Sequence, residues 1–179
     1  MTDTSKTLTS LVVDDVATDK RVKNSGSVRS GSAKKAGTKN RRKSRELVLK
    51  AVYRGMLNES ELSQIFRDMT DDPDYNKADE AYFRQLLQSV TANLNAIDGK
   101  LMNFIDRPIA ELSPVEHAIL RIAGCELMFD STIPYRVVIN EGVELAKIFG
   151  GIDGHKYING VLDKFAADVR ESEVKAAKP

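Results

Sequence analysis

Beyond Arg45 the apolar positions of this chain recur every three to four residues, whereas the first 40 residues show no sustained period. Leu47, Val48, Ala51, Val52 and Leu57 give a first helix one inward face. Leu62, Ile65, Phe66 and Met69 make a shorter stripe over 60–70, and Asp71, Asp72, Pro73 and Asp74 read as the connection after it. The longest pattern covers about 80–106, where Phe83, Leu86, Leu87, Val90, Leu94, Ile97, Leu101 and Ile105 share a broad face. It predicts one helix, or two with a kink; Gly99 weakens the interior by about 1 kcal/mol relative to alanine. Pro108 places a turn or short helix within 105–112.

Ser113, Pro114, Val115 and Glu116 are the sharpest boundary in the chain: a hydroxyl at the N-cap, proline in the first turn and a carboxylate at the third position. Val115, Ala118, Ile119, Ile122, Ala123 and Leu127 then form a nearly continuous apolar face, which predicts a packed central helix. Another helix follows Pro134 and ends at Phe149, Gly150 and Gly151. Helical spacing resumes over Tyr157 to Arg170 with Ile158, Val161, Leu162, Phe165, Ala166 and Val169, and 171–179 read as a frayed polar tail. Valine-rich patches at 11–16 and 136–139 are too brief to make strands and lack a hairpin partner. Six or seven helices joined by short connections predict an all-α fold of packed bundles.

Composition alters this picture in one respect. The 179 residues carry 27 Lys and Arg against 26 Asp and Glu, but the balance is uneven along the chain. Residues 1–45 hold 12 basic and 4 acidic side chains, a net +8, which leaves 46–179 at −7. The expected organisation is a flexible basic extension over 1–40, a folded all-α domain over 41–170 and a polar tail over 171–179. No uncharged apolar run approaches the thickness of a bilayer, and a single cysteine, Cys125, excludes an internal disulfide. A reducing, cytoplasmic setting is the simplest expectation.

Candidate chemistry is sparse. Cys125 sits in an apolar helical stretch and reads as a small core side chain. His117 and His155 are far apart in sequence and belong to no metal-ligand cluster, so no metal, cofactor or catalytic centre is expected. The glycine-rich segment 149–155 does not match a phosphate-binding loop and reads as a turn. Just after that turn Lys156 can meet a phosphate and Tyr157 can stack on a base, or Tyr157 packs internally and Lys156 is an exposed neighbour. Arg41, Arg42, Lys43 and Arg45 can engage phosphates where the extension joins the first helix, although terminal basic clusters also serve solubility. Glu116 either completes the cap begun by Ser113 and Pro114 or meets a basic partner. Tyr53 and Phe104 either pack internally or anchor an interface.

The ordered blocks RRKSRELVLKAVY, YFRQLL, SPVEHAILRIAGCEL, PYRVVINEGVELAKIFG and HKYINGVLDK resemble the NusB family of bacterial antitermination factors over about 41–170. The resemblance implies one domain of two roughly perpendicular three-helix bundles, about seven helices in all, that is not an enzyme. It implies binding of boxA RNA together with the small-subunit ribosomal protein NusE, and assembly with other Nus factors and RNA polymerase during ribosomal RNA transcription. Carried onto this chain, it places Arg41, Arg42, Lys43, Arg45, Asp153, Lys156 and Tyr157 at RNA, and Glu116 and Phe104 at the protein partner. Tyr53 either stabilises the first bundle or affects complex formation. Both monomers and homodimers are consistent with the resemblance. Typical members lack most of the first 40 residues, and a related fold forms part of certain RNA methyltransferases, whose cofactor-binding portion has no counterpart here. The alternative class is a ribosome-associated protein-interaction adaptor without sequence-specific RNA binding.

Overall fold

The computed structural model describes residues 40–58 and 60–177. Apart from Asn40, the 1–40 extension lies outside the described residues, as does the 11–16 patch. The described residues fold into helices α1 (Arg41–Leu57), α2 (Leu62–Thr70), α3 (Glu80–Ala92), α4 (Leu94–Leu101), α5 (Pro114–Phe129), α6 (Tyr135–Phe149), α7 (Gly154–Val169) and α8 (Glu171–Ala176). Short 3₁₀ turns occupy Tyr75–Lys77 and Ile109–Glu111. The only β pairing among these residues is a single bridge between Asn40 and Ala78. The fold is therefore all-α, and the 136–139 patch lies within α6.

The helices gather around α5. It packs on α1, α3 and α4, and also on α6 and α7; α2 packs on α1. Leu47, Phe83, Leu87, Ile119, Leu120, Ile122, Ile158, Leu162 and Phe165 are fully buried, each side chain contributing about 1.5–3 kcal/mol by leaving water. Phe83 is braced edge-on by Phe66 and Tyr75, with ring centroids 5.8 and 5.9 Å away. Close approach of α6 to α7 depends on Gly142. A Cβ there would stand 2.9 Å from Leu162 Cδ1, nearer than packed carbon atoms tolerate.

Local chemistry sets the helix boundaries. The expected capping box at α5 is complete: Ser113 Oγ accepts from the Glu116 amide at 3.2 Å, and Glu116 Oε2 accepts from the Ser113 amide at 3.3 Å. The long apolar pattern over 80–106 is two helices broken at Asn93, whose side-chain amide donates to the Ser89 carbonyl at 2.8 Å. Asparagine competes for backbone hydrogen bonds and so ends α3. Gly99 sits undisturbed within α4.

At the C-terminus the structure carries helical order beyond Arg170, into the segment read as a frayed tail. Arg170 donates to the carbonyls of Glu126, Leu127 and Asp130 at 3.1, 2.6 and 2.6 Å, and so satisfies the open end of α5. Glu173 of α8 accepts from the Tyr135 amide at 2.9 Å, capping α6, which has no cap of its own. Two neighbouring helix ends thus lie at α8, a reason for order that periodicity alone does not reveal.

Candidate nucleic-acid interface

Helix α1 opens with cations where the helix dipole favours anions. Asn40 caps it through Oδ1, 3.2 Å from the Lys43 amide, and Arg41, Arg42 and Lys43 fill its first turn with no acidic residue among them. Each cation placed there costs roughly 0.3–1 kcal/mol. The neutralising charge comes from α6, from the α2–α3 connection and from the second turn of α1. Arg42 forms a bidentate pair with Glu141 of α6 at 2.8 and 3.2 Å. Lys43 reaches Glu46 at 2.7 Å and Asp74 at 3.4 Å. Arg41 has no carboxylate partner among the described residues, and its guanidinium lies 4.6 Å from the centre of the Tyr82 ring.

Arg45 parts company with this group. Its side chain is 5% exposed and donates to both oxygens of Glu126, at 2.9 and 3.2 Å. Tyr82 also donates its hydroxyl to Glu126. Burial pushes the Glu126 carboxyl above its ordinary range, against the pull of Arg45. In the structure Arg45 is an interior residue, not a fourth exposed contact. Drawing it out would leave Glu126 charged and buried, at a cost of several kcal/mol. The exposed pair Arg42–Glu141 is worth at most about 1 kcal/mol, so a phosphate can replace the carboxylate with little loss.

The second candidate region is also a helix start. Helix α7 begins at Gly154, three residues before the expected boundary at Tyr157, so Lys156 joins Tyr157 in its first turn. Asp153 is the N-cap residue, and its carboxylate pairs with Lys156 at 2.8 Å, both side chains being about three-quarters exposed. Tyr157 is half-buried, and its hydroxyl is buried without a hydrogen-bond partner among the described residues. Burial raises the phenol above its ordinary pKa, and the Asp106 carboxylate adds to this.

Residues assigned to RNA and to the protein partner converge here. Glu116 Oε1 lies beside Gly154, 3.4 Å from where a Cβ would stand, so Glu116 both caps α5 and flanks the start of α7. Phe104 packs edge-on against Phe165 of α7, with centroids 5.5 Å apart. Two neighbours of Phe104 were absent from the sequence reading. The guanidinium of Arg107 stands 4.8 Å from the centre of the Tyr157 ring, and Asp106 accepts from it at 2.9 and 3.3 Å. Their only sequence signal is a charged loop before Pro108; their proximity to Tyr157, fifty residues on, is a product of the fold.

Between the two helix starts, Tyr53 and Leu49 of α1, Val115 of α5 and Phe149 of α6 line an apolar groove of about 150 Å³. Contacts trace a strip in steps: Arg42 pairs with Glu141 of α6, Phe149 at the end of α6 lines the groove with Val115, and Glu116 flanks the buried Gly154 at the start of α7. Away from this strip, Cys125 is buried and its thiol donates to Ser89 Oγ at 3.1 Å; burial raises its pKa. No group of three metal-ligating side chains occurs among the described residues. No helix among them is long and apolar enough to cross a membrane.

The sequence model of the NusB family matches residues 42–167. The transcription antitermination protein NusB of Methylobacillus flagellatus is 59% identical over 141 residues, 79% of this chain and 91% of that protein. Among solved structures, T. maritima NusB has a TM-score of 0.68 at 28% identity, covering 77% of this chain and 99% of its own. A chain from the crystal structure of antitermination factors NusB and NusE in complex with dsRNA has a TM-score of 0.61 at 24% identity, covering 72% of this chain and 96% of its own, and shows the same fold. Fold and sequence together define an all-α transcription antitermination protein. The chain belongs to the NusB family, whose members are not enzymes.

Proposed function

We propose that this chain binds boxA RNA together with the small-subunit ribosomal protein NusE, and that the complex joins other Nus factors and RNA polymerase in the cytoplasm to keep ribosomal RNA transcription processive. The observation that carries this reading is the pair of cation-bearing helix starts, Arg41 to Lys43 on α1 and Lys156 on α7, at the two ends of this strip of contacts. Arg41, Arg42, Lys43 and Lys156 meet phosphates by exchanging weak carboxylate or ring contacts for stronger ones, and Tyr157 supplies an aromatic ring for a base. Glu116, the groove beside Tyr53 and the packed Phe104 supply a mixed acidic and apolar surface to the protein partner. Residues 41–170 form the binding body, and the basic 1–40 extension raises the rate of RNA encounter. A NusB solved with NusE and dsRNA shares the fold, which supports the choice of partners.

A protein-interaction adaptor without RNA preference is the second reading, favoured by the apolar groove and by the −7 balance of residues 46–179. Titration of boxA and shuffled RNA, with and without the ribosomal protein, separates the two. The proposed function requires preference for boxA and tighter binding with the partner present. Partner binding with equal affinity for both RNAs selects the adaptor.

A further inference from the structure

Arg107 and Tyr157 form a closed contact at the edge of the strip, and its chemistry suits RNA. The Arg107 side chain is 44% exposed, yet its guanidinium lies over the Tyr157 ring at 4.8 Å. Guanidinium planes and nucleobases stack on aromatic faces in the same way, so the cation occupies a place that a base can take. Asp106 holds it there through two hydrogen bonds. The pair is exposed and adjacent in sequence, so its contribution to folding is small, and it opens without disturbing the core.

We propose that Arg107 is a nucleotide-contacting residue that covers Tyr157 in the free protein, yields the ring face to an unpaired RNA base on binding, and turns to an adjacent phosphate, with Asp106 as the carboxylate that keeps it closed. The inference rests on the RNA-binding reading above and adds to it a residue and an order of events. Asp106 competes with the phosphate for the same guanidinium. Removing its charge therefore favours the RNA-bound arrangement, an effect opposite in sign to that expected if the pair merely stabilised the loop.

The test is boxA affinity, as a function of salt, for the full chain and for Arg107→Ala, Asp106→Asn and the double substitution, with thermal unfolding to confirm that each folds. Arg136→Ala is the matched control. Arg136 is also exposed and lies 5.8 Å from the centre of a tyrosine ring, that of Tyr135, but at the opposite end of α6, roughly 20 Å from the residues that lead into α7. Arg107→Ala is expected to weaken binding about tenfold and to reduce the slope of log affinity against log salt by about 0.7, as for one lost phosphate contact on a single strand. Asp106→Asn is expected to tighten binding several-fold, and that gain is expected to vanish on the Arg107→Ala background. The proposal is overturned if Arg107→Ala behaves like Arg136→Ala, if Asp106→Asn weakens binding or leaves it unchanged, or if its gain survives without Arg107. Absence of boxA binding by the unsubstituted chain overturns the function reading itself and this inference with it. Loss of affinity for the ribosomal protein alone, with RNA binding intact, assigns Arg107 to the protein partner instead.

Discussion

Helices α1 and α5 begin in opposite ways. The first turn of α5 follows the rules of helix chemistry, with a serine cap, a proline and a reciprocating glutamate. One turn further on, His117 and Arg121 hold Asp98 of α4 at 2.9 and 2.6 Å. The first turn of α1 places two arginines and a lysine against the helix dipole and draws its neutralising carboxylates from α6, the α2–α3 connection and Glu46 one turn on. A start that satisfies itself serves stability. One that contradicts its own dipole retains charge that a partner can use; α7 also carries a first-turn cation, Lys156, but sets it beside its own N-cap carboxylate, Asp153.

The sharpest way to break this comparison lies within α1 itself. Arg45→Ala leaves Glu126 without its guanidinium in the interior and is expected to destabilise the fold by about 3–5 kcal/mol in urea unfolding. Arg42→Ala, three residues earlier, is expected to cost under about 1 kcal/mol. Equal losses would show that the two arginines do not divide into interior and surface roles.

A smaller effect belongs to α5. Burial opposes ionisation of Asp98, but hydrogen bonds from His117 and Arg121 outweigh it and lower its pKa to about 2, from 3.8. A carboxylate depressed in the folded state contributes its full stability above its unfolded pKa. That contribution falls as pH drops from about 4 through 2. Thermal midpoints of the unsubstituted chain and Asp98→Asn should therefore differ at pH 5 and converge toward pH 2. A constant gap would remove Asp98 from the acid response. Smaller again, Ser113→Ala is expected to cost about 1 kcal/mol without changing RNA affinity. Arg41→Glu should reverse that outcome. The dipole gain and the lost contact with Tyr82 nearly cancel in stability, whereas RNA binding falls by more than tenfold.

Much of the fold was legible because periodicity and caps are local. The α5 boundary, the α1 and α2 stripes and the end of α6 at Gly150 are written in neighbouring residues. What escaped depended on partners far along the chain. The run from Arg41 to Arg45 reads as one basic patch, and only Glu126, 81 residues away, turns its last member inward. Order in α8 depends on Arg170 and Glu173 reaching the ends of α5 and α6, and the cover over Tyr157 depends on a loop fifty residues earlier. At the candidate site, residue types were legible but their pairing was not. With the exception of Arg41, the cations assigned to RNA already have carboxylates, which makes binding an exchange rather than a simple attraction.

The most direct test of the two helix starts as one RNA surface is photo-crosslinking of boxA RNA to the full chain with the ribosomal protein present, followed by mapping of the modified peptides. Crosslinks are expected at both the α1 start around Arg41 and Arg42 and the α7 start around Lys156 and Tyr157. Crosslinks confined to other faces, such as α2 or α8, would contradict it.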